Sequence, residues 1–298
     1  MRNPPFAYWP MIRRPRLEWP DGARIAFWIG ANVEYYELER PGLNVPPAAG
    51  AAEPQTIEFS RREYGPRVCI WRLMRVLDKY SMRASVLLNS DVCERYPEII
   101  TEGNKRRWAW LGHGKTNSRK WSGMAVEEER AALADVVATI RRCTGQQIKG
   151  WLGPSLSESW DTPDLLAEQG LTYVCDWPCD DQPFPMRVKQ GRLIGIPYAG
   201  DLNDQAVFMG KTVSGPTYYD IVTSHFDVLY EEAATTGLVV GLPVHPFIVN
   251  TPYRHKYLDQ ALGYIAGHEG VWLTTSDEIA DWYYAHHYDA AVRTIEGT

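Results

Sequence analysis

Short apolar runs rich in β-branched residues alternate along the chain with longer segments in which apolar residues recur at helical spacing. The alternation begins near residue 23 and continues almost to the last residue. Runs of the first kind predict buried strands, and segments of the second kind predict helices that pack on them. This order of elements is typical of repeated β-α units, in which a parallel sheet is covered by helices.

The ends of several elements carry clear signals. The clearest helix is predicted over residues 125–145, AVEEERAALADVVATIRRCTG, with acids early, arginines late and a final glycine. The helix dipole and the glycine cap favour that arrangement. Thr275 and Glu278 form a capping box at the start of the last predicted helix. The predicted strands lie at 23–36, 83–89, 108–114, 148–153, 171–177, 192–199, 238–246 and 271–275.

About seven β-α units predict a closed or nearly closed (β/α) barrel. No glycine-rich dinucleotide motif follows the first strand, which argues against an open nucleotide-binding sheet. We expect one catalytic domain over residues 1–298, preceded by an N-terminal arm at 1–22 and interrupted by a Pro-, Gly- and Ala-rich loop at 37–63. A loop of that length in a compact domain is usually functional or disordered.

Polar residues at the carboxyl ends of the strands are the candidates for an active site, because that edge carries the site in barrels of this kind. His113 lies between two glycines and has no helical face to pack on, and His245 ends another apolar strand. Glu34 follows a buried strand, where desolvation suits a carboxylate to general base catalysis. The alternative for Glu34 is a solvated acid at the start of a loop.

Composition excludes several classes of function. The chain has 31 basic and 37 acidic residues, a formal charge of -6, and only short basic clusters, so we expect no nucleic-acid partner. Five scattered cysteines without CxxC spacing indicate a reducing compartment, and we predict a cytoplasmic protein. No signal peptide or membrane span is recognisable, so no membrane partner is expected. The motifs GxSxG and HExxH are absent, which gives a serine hydrolase or a zincin no support.

The motifs together resemble the polysaccharide deacetylase superfamily, and within it the branch of metal-independent allantoinases and cyclic imide hydrolases. The resemblance extends from about Ala23 to Tyr284 and rests on the order of NVEYY, GHGKTNS, GWLGPSLSESW, HPF and VWLTTSDEIADWY. It implies a distorted (β/α) barrel. It also implies a hydrolase that acts on carbon-nitrogen bonds other than peptide bonds.

Two positions depart from the metal-dependent members, which hold a divalent ion with an aspartate and two histidines four residues apart. Glu34 stands near the aspartate, His113 matches the first histidine, and Asn117 takes the place of the second. Leu152 or Gly153 replaces the arginine of the family's third motif. An amide oxygen is a poorer zinc ligand than imidazole, so we expect no cofactor. Weak binding of zinc or another divalent metal by Glu34, His113 and Asn117 is the alternative.

The sequence therefore predicts hydrolysis of a carbon-nitrogen bond in a small cyclic amide, imide or ureide without tightly bound metal. Glu34 or His113 would act on the attacking water. His245 would protonate the leaving nitrogen or stabilise the oxyanion. Asn117 would donate its amide to the substrate.

Three further residues are predicted to bind the small-molecule substrate. Trp177 would form a wall of the pocket and Arg67 would reach an anionic substituent. Asp176 ends a predicted strand beside Trp177. We also expect a homo-oligomer, either a dimer or a tetramer, because the arm and the long loop offer surfaces for self-association.

Two other functions fit the same residues. The first is a metal-dependent N-deacetylase that acts on a sugar or another amide and uses Glu34, His113 and Asn117 as ligands. The second is a catalytically inactive homologue that binds a ligand, since loss of a metal histidine and of the motif arginine is also expected in such a protein.

Overall fold

A computed structural model describes residues 3–40, 54–211 and 213–297. Within these ranges the chain forms one nine-stranded sheet and eleven α-helices. The strands are β1 (Ile25–Val33), β2 (Ala84–Leu88), β3 (Ala109–Gly112), β4 (Gly150–Trp151), β5 (Tyr173–Val174), β6 (Phe184–Met186), β7 (Leu193–Gly195), β8 (Leu238–Val244) and β9 (Val271–Leu273). The helices are α1 (Thr56–Tyr64), α2 (Ile70–Lys79), α3 (Ser90–Arg95), α4 (Pro97–Lys105), α5 (Val126–Thr144), α6 (Thr162–Glu168), α7 (Gly215–Glu232), α8 (Pro246–Val249), α9 (Pro252–Ala266), α10 (Ser276–His286) and α11 (Tyr288–Glu296).

The sheet is curled and almost entirely parallel. Its strand order is β6-β7-β5-β4-β3-β2-β1-β8, and β9 also pairs with β1. Every pair is parallel except β6 with β7. Among the described residues β6 and β8 end the path, so the barrel is distorted and open on one side. The predicted fold class, an α/β distorted barrel of about seven units, is confirmed.

Both faces of the sheet are buried, as is usual where a parallel sheet is covered by helices. In β1 the side chains of Ile25, Phe27 and Ile29 pack into one apolar cluster, which includes residues of the covering helices. Ala26 and Trp28 point to the opposite face and join a second cluster. Because both faces are filled with apolar side chains, polar groups of the strands concentrate where the strands end.

The arm and the predicted loop have more structure than the sequence indicated. Trp9 and Trp19 of the arm are buried, and Arg14 binds Asp180 through Nη2 and Oδ2 at 2.6 Å. Helix α1 begins inside the segment predicted as a loop, and residues 41–53 of that segment lie outside the described residues. Its Glu58–Arg62 pair at i,i+4 contributes to the stability of this helix.

The described helices include none that is long and apolar enough to cross a membrane. The cytoplasmic location and the homo-oligomeric state stay predictions.

Replacing Gly150 by alanine should destabilise the protein. Gly150 pairs with Tyr173 across β4 and β5, and a methyl group there would overlap the buried Tyr173 ring. Overpacking of this kind costs about 1–3 kcal/mol. Denaturant unfolding of Gly150→Ala measures the loss. Gly200→Ala is the control, because its methyl group would lie 3.9 Å from Pro178 Cγ in ordinary contact. Equal stability of the two variants would contradict the close packing at Gly150.

Candidate active site

Three of the sequence-predicted residues meet at the carboxyl edge of the sheet. Glu34 comes directly after β1, His113 directly after β3 and His245 directly after β8. Nε2 of His113 lies 3.3 Å from Glu34 Oε1, and Nε2 of His245 lies 3.6 Å from the same oxygen. All three side chains are buried. The parallel strands therefore bring one carboxylate and two imidazoles into a single cluster.

Two neutral donors complete the contacts of Glu34. Asn117 Nδ2 donates to Glu34 Oε1 at 2.8 Å and to the Tyr36 hydroxyl at 3.1 Å. The Tyr36 hydroxyl in turn donates to Glu34 Oε2. Burial and the negative charge of Glu34 raise the pKa of Tyr36 well above 10, so the phenol keeps its proton. Both carboxylate oxygens of Glu34 are thus held by hydrogen bonds.

His113 is held by the backbone of the next strand. Its Nδ1 lies 2.6 Å from the carbonyl oxygen of Leu152, just beyond β4. A carbonyl can only accept, so Nδ1 carries the hydrogen and Nε2 is the atom that faces Glu34. Gly114 follows with a φ of +69°, and a Cβ there would lie 2.6 Å from Trp121 Nε1. Glycine therefore allows both the turn and the close packing after His113.

His245 is held by a carboxylate that the sequence analysis missed. Asp204 Oδ1 lies 2.7 Å from His245 Nδ1, and Asp204 Oδ2 accepts the backbone N–H of His245 at 2.8 Å. Burial alone would lower the pKa of His245, but the negative charges of Glu34 and Asp204 raise it to about 10. His245 is therefore an imidazolium between two carboxylates at neutral pH.

The same charges act on Glu34. Burial alone would raise its pKa, but the positive charge of His245 and the hydrogen bond from its Nε2–H hold the pKa well below its usual range. Glu34 is thus ionised across the physiological range. A carboxylate with such a low proton affinity is a weak general base but a strong partner for cations and hydrogen-bond donors.

A second pair of acids lies beyond β4 and β5. Asp176 is buried, and its Oδ1 and Oδ2 accept the backbone N–H of Gly153 at 2.8 and 3.0 Å. Burial raises the pKa of Asp176 well above its usual range, and the neighbouring Glu158 carboxylate adds to the rise. Burial likewise raises the pKa of Glu158 to about 7. The Nε1–H of Trp177 donates to Glu158 Oε2 at 3.1 Å. Both acids therefore hold a proton more strongly than an exposed carboxyl group does.

The cavity near the site is lined by this second pair of acids. A cavity of about 1080 Å³ is lined by Asp176, Trp177 and Glu158, and it does not touch Glu34, His113 or His245. The space beside Glu34 is a crevice too narrow for a water molecule, lined in part by Tyr36 and Arg62. The acid-base groups nevertheless converge at Glu34 and not in the cavity.

The sequence-predicted arginine lies elsewhere. Arg67 is exposed on a π-helical segment, Gly65–Cys69, between α1 and α2, and none of its described contacts reaches the cluster. Arg62, one turn earlier, stacks its guanidinium 4.8 Å above the ring of Tyr36. Arg62 also pairs with Glu58 at 2.7 Å. The arginine nearest to the cluster is therefore one that the sequence analysis did not select.

The sequence analysis did not select Tyr36 or Asp204, and only Tyr36 could have been found from the sequence. Tyr36 lies two residues after Glu34, and side chains two apart in an extended chain share a face, so its position was readable. Asp204 lies between two short turns, Gly200–Leu202 and Gln205–Gly210, where the sequence carries no periodic pattern. Only the folded chain brings it to His245, 41 residues later. No spacing rule would have identified it.

The donors at the cluster do not fit a transition-metal site. Asn117 turns its amide nitrogen, which cannot bind a metal, toward Glu34, and Glu34 Oε2 accepts from Tyr36. Zinc sites in proteins use thiolate, imidazole and carboxylate ligands. In the described part of the chain no group of three or more His, Cys, Asp or Glu side chains is placed to hold a metal ion.

The raised pKa of Glu158 predicts a loss of stability with rising pH. The pKa of Glu158 rises from 4.5 to about 7 on folding, so its stabilisation is present below about pH 4.5 and is lost as the pH rises through 7. The loss should reach about 2 kcal/mol between pH 5 and pH 8. Denaturant unfolding across this range should show a shallower loss in Glu158→Gln. The control Asp161→Asn should follow the wild type, and an unchanged slope in Glu158→Gln would refute the raised pKa of Glu158.

Comparisons with known proteins show which sequences and folds this chain resembles. The sequence model of the family described as Polysaccharide deacetylase matches residues 63–174, which include His113 and Asn117. A Schizosaccharomyces pombe protein that carries a polysaccharide deacetylase name is 26% identical over 310 residues, covering 91% of this chain and 94% of its own length. The match and the relative both point to the superfamily that the motifs resemble.

Two solved structures share the fold. A probable polysaccharide deacetylase from Pseudomonas aeruginosa PAO1 has a TM-score of 0.82 and 24% identity, and a PuuE allantoinase has a TM-score of 0.81 and 24% identity. Each likeness covers 92% of this chain and 95% of the other. The family match over residues 63–174 supports the predicted enzyme class, a hydrolase acting on carbon-nitrogen bonds other than peptide bonds. Residues 63–174 thus match the polysaccharide deacetylase family model, and the described chain shares the fold of these two structures.

Proposed function

We propose that the protein hydrolyses a carbon-nitrogen bond in a small cyclic amide, imide or ureide, without a tightly bound metal. One observation carries the proposal: the Nε2 atoms of His113 and His245 face the same buried oxygen of Glu34, at 3.3 and 3.6 Å. This arrangement supplies a proton acceptor, a proton donor and a fixed negative charge in one place. General acid-base catalysis of this kind contributes about 10²–10⁴-fold to the rate.

His245 is the acid in this proposal. Glu34 and Asp204 keep it protonated, and its Nε2–H points into the cluster. When the carbon-nitrogen bond breaks, the leaving nitrogen takes this proton and His245 becomes neutral. Before that, the same N–H can stabilise the oxyanion that forms as water adds to the carbonyl.

His113 is the base, and Glu34 orients both imidazoles. The oxygen of water adds to the carbonyl carbon as its proton passes to Nε2 of His113, whose Nδ1–H is occupied by Leu152. Glu34 is a poor proton acceptor at neutral pH because its pKa is held so low. Transfer of a proton from His113 to His245 restores the resting state after product leaves.

We infer the substrate class from a buried hydrogen-bond acceptor, Asn117 Oδ1. Asn117 Oδ1 is buried and has no hydrogen-bond partner among the described residues, while its two amide hydrogens are engaged by Glu34 and Tyr36. We therefore propose that Asn117 accepts a ring N–H of the substrate instead of donating to it. Imides and ureides carry both such an N–H and an activated carbonyl. The fold shared with a PuuE allantoinase supports this class.

The test is a hydrolysis assay with allantoin, succinimide, hydantoin and an acetylated sugar. We expect turnover of at least one cyclic compound, and a loss of about 10²-fold or more in kcat in His113→Ala and His245→Ala. A wild-type protein that binds one of these compounds without turning any of them over would favour the inactive homologue instead.

Asp204→Asn should lower kcat about 10–100-fold, because outer partners of functional histidines typically contribute that much. The amide keeps the size of Asp204 but removes the charge that holds His245 protonated. Steady-state kinetics and thermal unfolding of each variant separate activity from stability. The control is Asp201→Asn, an exposed acid three residues earlier, which should retain wild-type kcat. Equal kcat in both variants would remove Asp204 from the proposal.

Removal of metal should leave the activity unchanged. The protein is treated with a chelator, its metal content is measured, and kcat is compared before and after addition of zinc. Activity that is lost on chelation and regained with zinc would favour the metal-dependent N-deacetylase that uses Glu34, His113 and Asn117.

A further inference from the structure

The two histidines of the cluster are supported from behind in different ways. Asp204 binds Nδ1 of His245 directly. Behind Nδ1 of His113 stands the carbonyl of Leu152, and the N–H of Gly153 belongs to the same peptide group. That N–H donates to both carboxyl oxygens of Asp176, at 2.8 and 3.0 Å. A carboxyl group therefore stands behind each imidazole, and in one case a peptide group lies between them.

We propose that Asp176 is a positioning residue that acts on His113 through the Leu152–Gly153 peptide group. The chain of hydrogen bonds runs from His113 Nδ1–H to the Leu152 oxygen, and from the Gly153 N–H to Asp176. The inference rests on the proposed function only in the use that catalysis makes of His113. It changes the expected role of Asp176, which the sequence analysis assigned to substrate binding.

Hydrogen bonds in a chain polarise one another. An acceptor on the Gly153 N–H makes the Leu152 oxygen more negative, and the gain per bond is on the order of 10–30%. A more negative oxygen strengthens the bond from His113 Nδ1–H, which keeps Nε2 as the face toward Glu34. The 2.6 Å separation of Nδ1 from the Leu152 oxygen is at the short end of the range for such bonds.

The position of Gly153 shows how closely Asp176 approaches the backbone. A Cβ at Gly153 would lie 3.2 Å from Asp176 Oδ2 and would collide with the Ser157 carbonyl. Only glycine leaves room for this contact. The Glu158 carboxyl lies near Asp176, and the Nε1–H of Trp177 donates to Glu158. Asp176 itself is held by the two hydrogen bonds from the Gly153 N–H.

The first test needs no substrate. Nitrogen-edited NMR spectra identify the His113 Nδ1–H resonance by its loss in His113→Asn. We expect Asp176→Ala to move this resonance upfield and to speed its exchange with solvent, and Asp176→Asn, which keeps an acceptor oxygen, to cause a smaller change. Asp161→Asn, which changes an acid lining the same cavity, should leave the resonance in place.

The second test uses any substrate that the wild type hydrolyses. Asp176→Ala should lower kcat about 10–100-fold, with KM changed by less than about twofold, and Asp176→Asn should recover most of the kcat. A raised KM with unchanged kcat would show that Asp176 binds substrate, and would overturn the proposal. Should Asp176→Ala not fold, an unmoved His113 resonance in both Asp176→Asn and Glu158→Gln would overturn it.

The two tests separate this inference from the proposed function. A shifted resonance in a protein that hydrolyses no cyclic amide would refute the proposed function and support the link from Asp176 to His113. Turnover by the wild type with an unmoved resonance in Asp176→Ala would support the proposed function and refute the link from Asp176 to His113.

Discussion

The buried negative charge of Glu34 is the constraint on which the rest of the site depends. A carboxylate out of contact with water is costly unless charges and donors surround it. Here a protonated His245, the second imidazole of His113, an amide and a phenol all converge on its two oxygens. Asp204 then balances His245 from behind. Each of these groups is placed by the need to keep the Glu34 charge stable in the interior.

This balance explains how the site can dispense with a metal in the proposed reaction. A metal would polarise the carbonyl and activate water. Two carboxylates on either side of one imidazole instead hold a proton ready on His245, and the tautomer of His113 is set by a backbone carbonyl. The family resemblance puts Asn117 where metal-dependent members have a histidine, and here its amide donates to Glu34.

Much of the fold and part of the site could be predicted from the sequence. Apolar periodicity and strand-end positions are local properties, so β1, β3 and β8 and the residues that follow them were identified from the chain alone. Glu34, His113 and His245 were selected for that reason, and the structure brings them together. Arg67 is predicted to bind substrate on its residue type alone, and it is exposed on the surface. Residue type does not reveal in which direction a side chain points from a π-helical segment.

The sequence by itself determined which polar residue follows each strand. It also determined that an asparagine lies four residues after His113. The tertiary structure alone decided which charges meet. Asp204 reaches His245 from 41 residues away, and Asp176 reaches the peptide behind His113 across 23 residues. Electrostatic interactions depend on distance in space and on burial, and neither quantity is encoded in local periodicity. The pKa values that separate the acid from its partners therefore arise only when the sheet has curled and closed the interior around Glu34.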